Sequence, residues 1–275
     1  MQPILYNDFW LATDNRIGPW HVAGGTVTQM QKDNANNIKT ALENEGWTLN
    51  AICGILGNMM GESTLNPAFI QQTNRFRLPN SGADLSDVPN TVMETFYPGS
   101  PAYATSSREF GIGLCQWNGS SNRLGYPTQK LVGYAIDNGY EWYEGWIQVS
   151  RLLGELEYET DPTDPHPQAF FKKVRVSGIE YTFQTFVQST ASPTNLAKAW
   201  AYGYERNAGG LGYRGQDAEW WYSYFNGPDA PEPVEDPDVP PDPVPVHPDN
   251  PFTITVLLNI FRKRREMLKP PCRRI

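Results

Sequence analysis

Apolar positions recur with a helical period in several stretches of the chain. From Met30 they fall on one stripe that ends at Gly46, which predicts a first helix. Thr48 is placed to cap a second helix, rich in Ile, Leu and Met, which ends near Glu62. The same period predicts later helices at about 128–138, 144–158, 194–206 and 215–225.

The stretches between these helices predict a smaller, non-helical portion. Residues 71–107 are rich in Pro, Asn, Ser and Gly and are typical of a long loop. Loose alternation from 110 to 117 indicates a short hairpin. The fold class is therefore α+β and predominantly α. Glu62 and Gln116 are expected on opposite walls of a cleft.

The two ends of the chain differ from its body. Residues 1–28 give no strong period and are predicted to be an N-terminal extension, followed by one domain over 29–226. Residues 227–250 hold nine prolines and seven acidic residues, as in a stiff extended linker. Residues 251–275 join a short apolar segment to a basic one with seven Lys or Arg and one Glu.

Composition narrows the function. The net charge of −8 argues against non-specific nucleic-acid binding. No export signal or membrane-spanning run is visible in the sequence. Cys53, Cys115 and Cys272 suit free thiols better than a disulfide framework, although a Cys53–Cys115 pair stays open.

Glu62 is the first candidate for a catalytic residue. It follows the apolar, glycine-containing run GILGNMMG, and apolar surroundings favour a protonated carboxyl group that can serve as an acid. Cleavage of a glycosidic bond needs such a group to protonate the leaving oxygen. The plainer alternative is a solvated glutamate at the end of a helix.

Five ordered blocks carry a resemblance that favours the catalytic interpretation. They span roughly residues 29–226. They comprise Asn34-Ala35, Gly46-Trp47, Gly54 to Asn58, Glu62-Ser63 and Asn66-Pro67; then Gly111 to Trp117; then Arg123, Leu131 and Tyr134-Ala135; then Gln148, Leu152, Glu155 and Leu156; and last Tyr204-Glu205-Arg206, Arg214 and Ala218.

In this order the blocks resemble the phage tail lysozyme family, which is related to goose-type lysozymes and soluble lytic transglycosylases. The resemblance implies a lysozyme-like fold, a small β or irregular wall beside the cleft, and cleavage of the peptidoglycan glycan. By the same resemblance Glu62 is the catalytic acid, and Ser63, Gly113 and Gln116 line the cleft. No cofactor is implied.

Further side chains are candidates for glycan binding, each with a structural alternative. Trp117 suits a sugar face, and core packing is its alternative. Tyr204 is expected beside the cleft, and Glu205 either faces the cleft or forms a structural salt bridge.

A second catalytic carboxylate is less clearly indicated. Glu109, just before the GIGLCQW block, is the best-placed candidate, and Asp84, Asp87 and Asp137 are poorer ones. Transglycosylase-like relatives work with one glutamate and a group of the substrate. The sequence therefore leaves both water and the 6-hydroxyl of the sugar open as nucleophile.

Other functions fit less well. A cysteine peptidase would need Cys115 paired with a base such as His166, but that histidine lies in the turn-rich stretch DPTDPHPQ. The histidines and cysteines are too dispersed to predict a zinc site. An inactive glycan-binding tail component and a cytoplasmically made endolysin remain alternatives to a virion enzyme. For a virion enzyme, residues 251–275 are expected to dock on other virion proteins, with a basic anchor at a membrane surface or a disordered end as the alternatives.

Overall fold

The described part of the chain is mostly helical and includes a small two-stranded antiparallel sheet. A computed structural model describes residues 17–70, 90–93, 111–117, 131–160, 171–207 and 209–227. The helices are α1 (Gln29–Asn44), α2 (Leu49–Ser63), α3 (Asn90–Met93), α4 (Leu131–Asn138), α5 (Gly145–Thr160), α6 (Phe183–Val187), α7 (Pro193–Trp200) and α8 (Leu211–Asn226). The strands are β1 (Val174–Val176) and β2 (Ile179–Tyr181).

The first helix begins and ends at polar and glycine signals. The Thr28 side chain accepts from the Gln31 backbone amide at 3.3 Å, and the Gln31 side chain accepts from the Thr28 amide at 3.0 Å. This reciprocal capping box satisfies two amides that a helix start leaves without partners. Gly46, just after the helix, has φ +79°, a conformation suited to glycine. The predicted first helix is confirmed, although Met30 is 38% exposed and lies off the buried stripe.

The second helix is the centre of the core. Thr48 caps it by accepting from the Ala51 amide at 3.2 Å, as predicted. All residues from Ala51 to Met60 are buried, so neighbouring elements cover the helix on every side. Its partners are α1, α7 and α8, and a helix that is apolar all round requires such an enclosed position.

Two glycines of α2 set how closely the neighbouring helices approach. A Cβ atom built on Gly54 would lie 2.8 Å from Leu196 Cβ of α7. One built on Gly57 would lie 2.3 Å from the Arg214 carbonyl oxygen of α8 and 2.8 Å from the Ala218 amide. Both helices therefore pack their backbones directly against α2, which only glycine permits.

The later elements follow the predicted pattern with some additions. Helices α4 and α5 correspond to the predicted helices, and α7 continues into a π-helical turn at Ala201–Glu205. The expected hairpin is confirmed, since the Ile112 amide donates to the Trp117 carbonyl at 3.0 Å. The sheet of β1 and β2 was not predicted by the periodicity, because each strand has only three residues.

The unpredicted sheet nevertheless had a local sequence signal. Ser177 and Gly178, with φ +50° and +82°, connect β1 to β2 in the register Val176 opposite Ile179. Two consecutive residues with positive φ are typical of the tight turns that join antiparallel strands. Within the described residues, no helix is both long enough and apolar enough to span a membrane.

Replacing Gly57 with alanine should destabilise the protein by about 1–3 kcal/mol, because the new methyl group overlaps backbone atoms of α8 that have no room to move. Gly212→Ala is the matched control, since a Cβ at that exposed position of α8 meets nothing within 4 Å. Urea unfolding of both variants measures the effect. Equal stabilities would contradict the close packing of α2 against α8.

Candidate functional site

Glu62 lies at the end of the buried central helix. It is the last residue but one of α2, as the sequence predicted, and its side chain is 18% exposed. Thr64 and Leu65 follow with φ +56° and +61°, so the chain turns sharply away after the helix. Non-glycine residues adopt this left-handed region at a cost of about 1–3 kcal/mol and do so where surrounding contacts enforce it.

Helix α1 supplies those contacts. The Gln31 side-chain amide donates to the Thr64 carbonyl at 3.1 Å, and the Asn34 amide donates to the Leu65 carbonyl at 2.9 Å. Gln31 and Asn34 are both buried. The strained turn is therefore fixed by two buried side-chain amides, and the position of the adjacent Glu62 is fixed with it.

A guanidinium group from α8 contacts the Glu62 carboxylate. Arg214 Nη2 donates to Glu62 Oε1, and Arg214 Nη1 donates to Asn58 Oδ1 at 2.7 Å. The Asn58 side-chain amide donates in turn to the carbonyls of Gly54 and Ala197, both at 2.9 Å. The expectation of purely apolar surroundings for Glu62 is therefore wrong, because the structure places a largely buried cation against it.

A histidine and an aspartate lie beside this ion pair. Asp217, one turn after Arg214 on α8, is 1% exposed. Its Oδ1 accepts from the Val22 amide at 2.9 Å, and its Oδ2 lies 2.7 Å from His21 Nδ1. Burial raises the pKa of the Asp217 carboxyl group, and the hydrogen bonds from His21 and Val22 act in the opposite direction. The His21 ring also stacks on Tyr213 at 4.8 Å.

The Glu62–Arg214 pair and the His21–Asp217 pair both lie close to the backbone of Gly61. A Cβ atom built on that glycine would lie 3.4 Å from His21 Cε1 and 3.9 Å from Arg214 Cζ. Residues 1–28 were predicted to be an N-terminal extension before the domain, and the structure describes residues 17–28 of this segment. The structure nevertheless places His21 against the residue that precedes Glu62, so part of that segment contributes to the candidate site.

Gln148 makes several of the contacts that hold the hairpin at 111–117 beside the end of α2. Gln148 Oε1 accepts from the Leu114 amide at 2.8 Å, while Gln148 Nε2 donates to the carbonyls of Pro67 and Trp142, both at 2.7 Å. Gly113 has φ +73°, and a Cβ there would lie 2.5 Å from Gln148 Oε1. Gly113 is therefore required for the turn and for its contact with α5.

Ser63 connects the hairpin to α2. Its hydroxyl group donates to the Leu114 carbonyl at 3.1 Å and lies equally close to the Met59 carbonyl. The residue is fully buried. The prediction that Ser63 lines the cleft needs correction, because its hydroxyl group is used inside the protein to hold the hairpin. Gln116 has φ +49°, is partly buried, and donates to the Gly113 carbonyl at 2.9 Å.

Trp117 and Tyr204 are core residues. Trp117 is 6% exposed, and its indole N–H donates to the Tyr204 hydroxyl at 3.0 Å. The Arg151 guanidinium lies 5.0 Å from the Trp117 ring centre, and Tyr204 stacks on Trp200 at 4.2 Å. Trp117 and Tyr204 are therefore both packed in the core, which is the arrangement that the core alternative for Trp117 describes. Glu205 accepts from the Trp200 indole at 3.1 Å, which is a structural contact.

Several predicted residues lie outside the described part of the chain. They are Glu109, Asp84, Asp87, the side chain of Asp137, His166 and the linker and tail beyond 227. Cys53 and Cys115 are buried thiols that form no disulfide, in agreement with the prediction. Desolvation raises the pKa of the Cys53 thiol far above its usual range, so this group stays protonated.

The arrangement defines a class of protein, an α+β lysozyme-like protein with one glutamate at the end of its central helix. The phage tail lysozyme family matches residues 33–225, and the chain belongs to this family. A relative is morphogenesis protein 1 of Bacillus phage B103, which is 29% identical over 195 residues. That match covers 70% of this chain and 40% of the relative, so the chain spans well under half of the relative's length.

Substitution of Gln148 with methionine should destabilise the protein by about 3 kcal/mol or more. The substitution keeps the approximate side-chain volume but leaves one buried amide and two buried carbonyls without their partner, at about 1–3 kcal/mol each. Gln216→Met, at an exposed position of α8, is the control and should change stability little. Chemical unfolding compares the two. A Gln148→Met protein as stable as its control would show that the hairpin is held by other contacts.

Proposed function

We propose that this protein cleaves the β-1,4 bond between MurNAc and GlcNAc in bacterial peptidoglycan, with Glu62 as the proton donor. The observation that carries the proposal is the position of Glu62. Its carboxylate is partly exposed at the end of an otherwise buried helix, inside a sequence match to the phage tail lysozyme family. A single carboxyl group on a rigid element is what protonation of a glycosidic oxygen requires.

The residues around Glu62 divide into chemical and supporting roles. In the proposed reaction the protonated Glu62 gives its proton to the oxygen that leaves. Gly113 and Gln116 are proposed to contact the glycan, since backbone and amide groups suit its hydroxyl and N-acetyl groups. Ser63, Trp117 and Tyr204 support this site from within the core.

The nucleophile distinguishes two forms of the proposed activity. Asp217 is engaged by His21 and Val22 and is almost fully buried, which makes it unsuited to activating water in an open cleft. Glu109 remains the proposed second acid if the reaction is a hydrolysis. Mass spectrometry of released muropeptides separates the two forms, because hydrolysis leaves reducing ends and transglycosylation leaves 1,6-anhydro ends.

We further propose that the enzyme acts as part of a phage virion. The family is one of phage tail lysozymes, and the similar protein of phage B103 is named for morphogenesis. A tail-borne enzyme would reach the wall from outside the host and assist genome entry. The apolar and basic segment 251–275 is the proposed docking site for other virion proteins, with 227–250 as its spacer.

Replacement of Glu62 with glutamine should abolish the release of muropeptides from purified cell walls, with a loss of at least about 1000-fold in rate. Glutamine keeps the shape and can accept from Arg214 but has no proton to give. Glu43→Gln, at a surface ion pair with Lys39, is the matched control and should keep full activity. Retained cleavage by a folded Glu62→Gln protein would contradict the assignment of the acid.

A further inference from the structure

We propose that Arg214 is a positioning residue for Glu62. We further propose that His21, by engaging Asp217, keeps the Arg214 guanidinium hydrogen-bonded to Glu62. This inference rests on the proposed function, because it concerns the efficiency of the same proton donor. It assigns roles to three side chains that lie 152 to 196 residues from the segments they contact. It also gives a reason for the burial of two charged side chains, Arg214 and Asp217, near the Glu62 carboxylate.

The first step is that the Arg214 guanidinium has a fixed orientation. One nitrogen donates to Asn58 Oδ1 at 2.7 Å. Asn58 is itself fully buried and donates both to Gly54 and to Ala197, so its amide cannot turn without losing these bonds. A planar guanidinium held at one nitrogen presents its second nitrogen in a defined direction. That direction is towards Glu62 Oε1.

The second step concerns a competing acid. Asp217 is three residues after Arg214 on α8, a spacing at which side chains on a helix are neighbours. An unoccupied Asp217 carboxylate would attract the same guanidinium. Its oxygens are instead engaged by the Val22 amide at 2.9 Å and by His21 at 2.7 Å. His21 therefore leaves Arg214 available to Glu62.

The third step links this geometry to the reaction. As Glu62 protonates the glycosidic oxygen, the C–O bond breaks with its electron pair going to that oxygen, which leaves as a hydroxyl group. Glu62 is left as a carboxylate, and negative charge develops on it during the step. Arg214 already lies at this carboxylate, so it stabilises the developing charge without further rearrangement. The anomeric carbon bonds to the oxygen of water or of the sugar 6-hydroxyl group, and the proton that this nucleophile loses returns to Glu62 directly or through solvent. The effect is expected in kcat more than in KM.

The first experiment removes or alters the guanidinium and measures kcat and KM on soluble, uncross-linked glycan strands. Arg214→Gln should lower kcat about 100-fold and change KM less than about threefold, since loss of positioning typically costs about two orders of magnitude. Arg214→Lys keeps the charge but cannot engage Glu62 and Asn58 as a rigid fork, so a loss of about tenfold is expected. Arg175→Gln, on the exposed face of β1, is the control for loss of one positive charge.

The second experiment tests whether His21 works through Asp217. His21→Ala should lower kcat about tenfold in the otherwise unchanged protein, because it frees an oxygen of Asp217 for Arg214. In an Asp217→Asn background the same substitution should change kcat less than about twofold, since a neutral amide does not compete for the guanidinium. An equal effect in both backgrounds would show that His21 acts independently of Asp217 and would overturn that half of the proposal.

The remaining outcomes separate this inference from the proposed function. If the unchanged protein releases no muropeptides, both fail. If it is active and Arg214→Gln, shown to be folded by circular dichroism, keeps kcat within threefold, only the role of Arg214 is overturned. Should Arg214→Gln not fold, Arg214→Lys decides, because kcat within threefold of the unchanged protein would show that a fixed guanidinium is not needed.

Discussion

The direct backbone contact between α2 and α8 is the constraint on which the site depends. Because Gly57 has no side chain, the Arg214 carbonyl can occupy the place where a Cβ would stand. At this separation the Arg214 side chain runs along α2 and reaches Asn58 and Glu62, which lie one turn apart on the same face. A wider spacing between α2 and α8 would put both acceptors out of reach. The hydrogen bonds of the candidate site therefore depend on the close packing of these two helices.

That arrangement brings charged groups into positions that water largely cannot reach. Arg214 and Asp217 are 6% and 1% exposed, and the removal of one member of a buried pair typically costs about 3–5 kcal/mol. Such charges are tolerated here because Glu62, Asn58, Val22 and His21 supply partners. Apolar side chains would fill the same space at no electrostatic cost. The presence of these charges is therefore better explained by the proposed reaction than by stability.

Much of the scaffold was predictable from local signals, whereas the partners of Glu62 were not. The predicted cap at Thr48 and the helical period placed Glu62 correctly at the end of α2. Pairing between Glu62 and Arg214 depends on tertiary packing across 152 residues, which periodicity does not encode. One signal was nevertheless present in α8, where Arg214 and Asp217 interrupt a buried face that includes Ala218. Charged residues on a buried face indicate a paired or functional role.

The sequence motifs near the site also take on separate roles once their contacts are known. In the Glu-Ser pair, the Glu62 side chain is 18% exposed, while the Ser63 hydroxyl group donates to the Leu114 carbonyl inside the protein. In the GIGLCQW block, Gly113 is needed for its backbone conformation and Trp117 for its bond to Tyr204. Most residues of these motifs thus build a rigid frame in which one contact helps to fix the next. A site with one proposed acid needs such a frame. With no second carboxylate assigned, the surrounding structure must orient the carboxyl group of Glu62 towards the glycosidic oxygen.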